Sequence, residues 1–216
     1  MYCTAPQNSF EVIKYLLSSG YRVEAHLDRH YARDHGDLVF GKLIGPGVEQ
    51  QKSRKPNSNQ SGKLCEPDYF VRKELSNALK RLFANTWFEI DLEFATKIVD
   101  DSLDSSVTSY EEKPKWLMCL RDGDSCIGAA IMLPKRGGAI KALIARGTSD
   151  RGSLKQLIKK TEEIAKEQSR RKIYFLHPIA DHEVIDLLIA GGYLPEGLLR
   201  APYVDGRDVV VYSKFF

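Results

Sequence analysis

Residues 173–216, IYFLHPIADHEVIDLLIAGGYLPEGLLRAPYVDGRDVVVYSKFF, repeat residues 1–44, MYCTAPQNSFEVIKYLLSSGYRVEAHLDRHYARDHGDLVFGKLI, at a shift of 172 positions and without a gap. Identities fall at Tyr2/Tyr174, Pro6/Pro178, Glu11/Glu183, Val12/Val184, Ile13/Ile185, Leu16/Leu188, Gly20/Gly192, Tyr21/Tyr193, Glu24/Glu196, Leu27/Leu199, Tyr31/Tyr203, Val39/Val211 and Lys42/Lys214. Self-similarity governs the whole architecture and is settled first. The period is far too long for a solenoid. It implies a duplicated domain, present once whole and once as a C-terminal remnant without its front half.

Each copy reads as strand, helix, strand, strand. In the first, Asn8 or Ser9 can cap a helix whose apolar stripe is Phe10, Val12, Ile13, Leu16 and Leu17. Gly20 ends it, as a residue that tolerates positive φ should. Tyr21–Leu27 and Asp37–Ile44 alternate as strands. Residues 45–65 are a polar tract containing QQKSRKPNSNQSGK and read as a linker. Beyond it, Asp68–Phe83 carries helical spacing, and Asp91 caps a second helix. WLMCLRDGDSCIGAAIML reads as a hairpin turning at Asp122-Gly123. AIKALIA is a strand, Ser149 or Ser153 opens a long amphipathic helix, and KIYFLHP is a buried strand. From residue 66 the order is α-α-β-β-β-α-β-α-β-β.

Composition narrows the class. Of 216 residues, 43% are hydrophobic and 28% charged, as in ordinary globular chains. The apolar runs are too short to span a bilayer, no leader peptide opens the chain, and a cytoplasmic setting is expected. Four scattered cysteines suggest neither a zinc ribbon nor a disulfide framework. The formal charge of +3 arises in residues 1–64, which hold 9 Lys/Arg against 6 Asp/Glu, while the remainder balances at 23 each. Without stacking aromatics in the basic tract, a nucleic-acid-binding module ranks last.

The order from residue 66 to 216 resembles the GNAT superfamily of acyl-CoA-dependent N-acetyltransferases. Its most specific local match is the tail: KIYFLHP, the helix ADHEVIDLLIAGGY and two closing strands. Against the family pattern N-x-x-A-x-x-x-Y-x-x-x-G-F this chain has Asp181 near the Asn position, Leu188 at the Tyr position and Gly192-Tyr193 for Gly-Phe. Residues 1–44 fit the same pattern with Leu16 and Gly20-Tyr21. The resemblance implies a three-layer α/β fold with a mixed sheet at 66–216, preceded by a partial copy of the same fold at 1–44. It also implies acetyl-CoA as co-substrate and an unidentified amine as acceptor.

In this family a strand that splays from its neighbour offers backbone groups to the pantetheine arm, and a Q/R-x-x-G-x-G/A loop at a helix start holds the pyrophosphate. LIARGTSDRGSLKQLI is the matching segment. Ile144, Ala145 and Arg146 become the backbone contacts, and Gly147, Arg151, Gly152 and Ser153 the phosphate contacts. The match is irregular: with Gly152 as the first glycine, Ser149 stands at the Gln/Arg position and Leu154 at the second Gly/Ala. His177 is the candidate base, because imidazole titrates near neutrality, and Tyr203 the candidate acid. Leu188 removes the family's usual tyrosine. A non-catalytic GNAT-like interaction or acyl-CoA-binding domain is the alternative.

Two other groupings weigh less. HLDRHYARDHGD gathers His26, His30, His35, Asp28, Asp34 and Asp37, but strand and loop spacing gives i,i+4 histidines no common face, so no metal is expected. Lys135, Arg136, Lys141, Arg170, Arg171 and Lys172 lie near turns. Residues 1–44, with open sheet edges and one bare face, are expected to dock against the full domain or to complete a sheet with another chain, in a homodimer or with a partner half-domain.

Overall fold

The computed structural model describes residues 1–30, 34–42, 59–84, 86, 88–104, 115–135, 138–202 and 207–216. Residues 1–42 form β1 (Tyr2–Pro6), α1 (Phe10–Ser18), β2 (Arg22–Leu27) and β3 (Asp37–Gly41). The remainder forms β4 (Lys63–Cys65), a 3-10 turn at Pro67–Tyr69, α2 (Arg72–Phe83), α3 (Leu92–Leu103), β5 (Trp116–Asp122), β6 (Ser125–Pro134), β7 (Ala139–Arg146), α4 (Arg151–Glu167), β8 (Lys172–Pro178), α5 (His182–Ala190), β9 (Leu194–Leu199) and β10 (Val209–Phe215). These strands make one sheet in the order β1-β3-β2-β9-β10-β8-β7-β6-β5-β4. All ladders are antiparallel except β7–β8.

Both faces of the sheet are covered at its centre, which is why β7 and β8 are apolar at nearly every position. One core joins Leu75, Leu79 and Phe83 of α2 and Ile98 and Val99 of α3 to Leu143 and Ala145. The other joins Leu154, Leu157 and Ile158 of α4 and Val184, Ile185 and Leu188 of α5 to Ile140 and Ile144. Tyr193 is buried edge-on against Phe175, their ring centroids 5.2 Å apart.

The helix starts and the linker carry corrections. Asp150, not Ser149 or Ser153, caps α4, accepting from Ser153 N at 2.9 Å. Ser9 precedes α1 without a side-chain cap bond, whereas Asp91 caps α3 from Phe94 N at 2.7 Å, as its spacing suggests. Lys63–Cys65, assigned to the linker by composition, is the edge strand beside β5. Three residues are too few to show a two-residue period.

The two strand–helix–strand–strand segments match in register. Tyr2 faces Gly41 and Pro6 faces Asp37 in β1–β3, while Tyr174 faces Ser213 and Pro178 faces Val209 in β8–β10. Both second strands carry a bulge at the same place, at Glu24 and at Glu196. Lys42 Nζ donates to Ser19 O at 2.7 Å, and Lys214 Nζ to Gly191 O at 2.8 Å. Gly20 and Gly192 each hold φ +82°, the left-handed value that stops a helix cheaply only at glycine. The segments meet where Ala25 pairs with Gly197, two positions related by the 172-residue shift.

The bulged glutamates grip across that junction. Glu24 Oε2 accepts from Arg200 N at 3.0 Å, and Glu196 Oε1 accepts from Asp28 N at 3.2 Å. The Tyr2 hydroxyl sits between Glu24 (2.8 Å) and the Arg200 carbonyl. On the other side Lys172 Nζ donates to Glu196 Oε1 (2.6 Å) and Asp28 O (2.7 Å). His30 packs edge-on against Tyr174 at 4.6 Å. Burial, with Lys172, Lys135, Arg171 and Lys141 nearby, lowers its imidazole to about 3.

Candidate active site

The parallel ladder between β7 and β8 runs from Ala139–Lys172 to Ala142–Phe175 and ends there. Beyond it, β7 stays paired with β6 as far as Arg146–Gly128, and β8 with β10 as far as Pro178–Val209. The two halves of the sheet therefore diverge. Leu143–Arg146 and Leu176–Pro178 border the unpaired gap beyond the ladder, with Ile144 and Ala145 on the β7 side and His177 on the β8 side, all three buried.

Side chains bridge the mouth of this gap. Arg146 sets Nη2 2.6 Å from Asp181 Oδ1, Nε 3.3 Å from Asp181 Oδ2 and Nη1 2.5 Å from Glu183 Oε2. His177 Nε2 lies 2.8 Å from Asp181 Oδ2, and its buried Nδ1 has no hydrogen-bond partner among the described residues. Beside a carboxylate Nε2 is the donor of this pair. Burial alone would raise the Asp181 carboxyl. The hydrogen bond from His177 and the Arg146 guanidinium outweigh it and hold the group at about 2.

The start of α4 holds the remaining candidates. Gly147 N donates to Ile127 O at 2.8 Å, which ties the loop back to β6. Ser153 is buried, its Oγ accepting from Gly62 N at 2.7 Å and lying 3.1 Å from Gly62 O. Thr148 Oγ1 donates to Gln60 O at 2.6 Å, so residues 60–62 lie against this turn. The Asp150 carboxylate takes the Ser153 amide and hydroxyl, and these bonds lower its pKa. Arg151 points outward, 4.0 Å from Asp186, with both side chains more than half exposed.

The expected residues thus fall into two clusters. Ile144, Ala145, Arg146 and His177 gather at the gap, while Gly147, Arg151, Gly152 and Ser153 gather at the helix start. Tyr203, Arg136 and Tyr31 lie outside the described residues. Asp181, which proves central, stood in the sequence only as a departure from the family's Asn. Its four-residue spacing from His177 crosses a strand–helix turn and gives no periodic signal. Among the described residues no group of three His, Cys, Asp or Glu converges as a metal site. His26 bonds Gln7 at 2.9 Å and His35 bonds Asp34 at 2.8 Å. None of the helices searched is long and apolar enough to cross a membrane.

The order from β4 onward, β-α-α-β-β-β-α-β-α-β-β, with its parallel pair parting before the last three elements, is the fold of GNAT acetyltransferases. No protein-family model and no curated protein matches the chain. Solved structures do. A GNAT-family acetyltransferase from Streptococcus pneumoniae is similar with a TM-score of 0.57 and 16% identity, over 72% of this chain and 99% of that one. An N-acetyltransferase from Staphylococcus aureus Mu50 gives 0.55 and 15% over the same shares. A phosphinothricin acetyltransferase from Sinorhizobium meliloti, solved with acetyl-CoA, gives 0.54 and 16% over 73% of this chain and 89% of that one. At such identities the likeness establishes the fold.

The two ends of a coenzyme A molecule would meet different surroundings here. Strand edges freed by the splay suit a pantetheine arm, which is recognised through backbone amides and carbonyls. The helix start does not suit the pyrophosphate, because the Asp150 carboxylate already takes the amide and the favourable end of the helix dipole.

Proposed function

We propose that this chain is an acyl-CoA-dependent N-acetyltransferase-like protein with a divergent site, built on the domain at 66–216 and acting on an unidentified amine. The end of the β7–β8 ladder at Ala142–Phe175 carries this reading, because it frees backbone donors and acceptors beside Ile144 and Ala145. In this reading His177 Nδ1 takes a proton from the amine, and Asp181 orients the ring and steadies the imidazolium. Tyr203 is the candidate proton donor to the departing thiolate. With Asp150 at the helix start, recognition rests on the thioester arm more than on the phosphates at Gly147, Arg151, Gly152 and Ser153.

The test is calorimetric titration with acetyl-CoA and with acetyl-pantetheine, which lacks the nucleotide. Comparable affinity for the two is expected, with acetyl transfer to an amine panel abolished by His177→Gln. A second reading, a non-catalytic GNAT-like interaction domain, is favoured by the Arg146–Asp181–Glu183 bridge across the gap. Absence of binding to either compound at millimolar concentration would sink the first reading, and binding without transfer to any amine would favour the second.

Residues 1–44 are, in this proposal, the C-terminal arm of a second GNAT-like domain. The support is the shared register, the shared bulge and the paired Lys42 and Lys214 contacts. Deletion of residues 1–44 is expected to lower the melting temperature, and an unchanged value would contradict the docking.

A further inference from the structure

β1 is the first strand of the sheet, and the edge it turns away from β3 has no neighbour among the described residues. Its helix α1 buries no residue: Phe10 is 76% exposed, Tyr15 70%, Val12 50% and Leu17 49%. On the stripe itself Val12 is exposed and Ile13 and Leu16 are half-buried, and the chain contains a fully covered version of that stripe. Val12, Ile13 and Leu16 correspond by the 172-residue shift to Val184, Ile185 and Leu188, which share a core with Leu154, Leu157 and Ile158 of α4. β8, which corresponds to β1, takes β7 as a parallel neighbour, with Ile140 opposite Ile173, Lys141 opposite Tyr174 and Ala142 opposite Phe175.

We propose that β1 and α1 form a docking surface for the front half of a second GNAT-like domain. That partner supplies an apolar strand parallel to Met1–Cys3 and, directly after it, an amphipathic helix laid on Val12, Ile13 and Leu16. The surface specifies this occupant because its register, its edge and its apolar positions are those that β7 and α4 fill for β8 and α5. The chain's own front half is already engaged with β8–β10, so the occupant comes from outside residues 1–216. A second copy brings only another bare arm, its front half being engaged in the same way. Covering the edge also removes a strand otherwise open to unwanted pairing. The inference rests on reading residues 1–44 as an arm of this fold, and not on acetyl transfer.

The test uses the full chain with a second copy of its own residues 66–172 fused directly ahead of Met1, the junction that residues 172 and 173 make in the parent. Hydrogen exchange read by mass spectrometry is expected to slow at least tenfold across α1 and Tyr2–Cys3 in the fusion. Val12→Asp should abolish that protection in the fusion and leave the melting temperature of the unfused chain within about a degree. Unchanged α1 exchange, or a fused half whose own amides stay unprotected, overturns the proposal. So does an unfused chain that dimerises with α1 protected. Exchange in β2 and β3 separates the underlying reading: protected there, the arm stands although the docking fails; freely exchanging, the arm itself fails.

Discussion

Ala25 and Gly197 face each other across the β2–β9 junction, and a Cβ added to Gly197 would stand 2.3 Å from the Ala25 Cβ. The contact explains a glycine within a strand, where the residue otherwise weakens pairing. It is also the point at which residues 1–42 join the rest of the sheet, so a side chain there acts first on that junction.

Gly197→Ala is therefore expected to destabilise the chain by about 3 kcal/mol in urea unfolding, the upper range for overpacking against backbone. Ala25→Gly should not rescue it, because the Ala25 Cα lies 2.4 Å and the Glu24 carbonyl oxygen 2.6 Å from the same added atom. Full rescue would mean that the strands can separate at little cost.

Lys172 and Glu196 supply the junction's buried charge pair, with side chains 0% and 9% exposed. Lys172→Met leaves the Glu196 carboxylate and the Asp28 carbonyl without their donor, and is expected to cost about 3–5 kcal/mol. The double variant Lys172→Met, Glu196→Met should recover most of that loss, since two apolar groups replace a desolvated pair. A double variant as unstable as the single one would show that the Asp28 carbonyl bond, not the ion pair, carries the junction.

Much of this arrangement was legible in the chain. The helix stops at Gly20 and Gly192, the hairpin at Asp122-Gly123 and the buried strand KIYFLHP follow from local chemistry and period. The recurrence of Glu24 and Glu196 was visible too, but not its purpose. A bulge and a cross-junction bond to backbone depend on which strands become neighbours, and no local pattern records that. The site was legible in part for the same reason. His177, Ile144 and Arg146 follow from their places on two strands expected to splay. The Arg146–Asp181–Glu183 bridge depends on long-range geometry, and Asp150 as the α4 cap was masked by the serines beside it, which cap helices equally well.

Asp150→Ser separates capping from charge. Serine keeps a cap hydrogen bond to the Ser153 amide, so only the charge on the helix dipole is lost and the loss of stability should be small. Acetyl-CoA affinity should rise about tenfold once the carboxylate no longer repels a pyrophosphate. Affinity for acetyl-pantetheine should not move. Equal gains for both ligands would place the effect in the gap and not at the phosphates.

Lys141 gives the protein a signature on the alkaline side. It lies on β7 facing α2 and α3, 7% exposed, with Nζ 5.2 Å from the centre of the Phe88 ring. Burial pushes its ammonium down to about 8, against 10.5 for an ordinary lysine. Below pH 8 the group is charged in both folded and unfolded chains, and the native state bears the full cost of that buried charge. As pH rises toward 10.5 the folded chain loses the proton first while the unfolded chain keeps it, so stability climbs across this window by about 3 kcal/mol. Lys141→Met should be more stable than the parent at pH 7, and its advantage should shrink by that amount between pH 8 and 10.5. Tyr193 and Tyr2, whose hydroxyls are raised chiefly by burial, contribute equally to both proteins and cancel in the difference. Urea titrations of parent and variant at half-unit pH steps provide the measurement, and an advantage that stays constant from pH 7 to 10.5 would show that Lys141 is solvated in the native state.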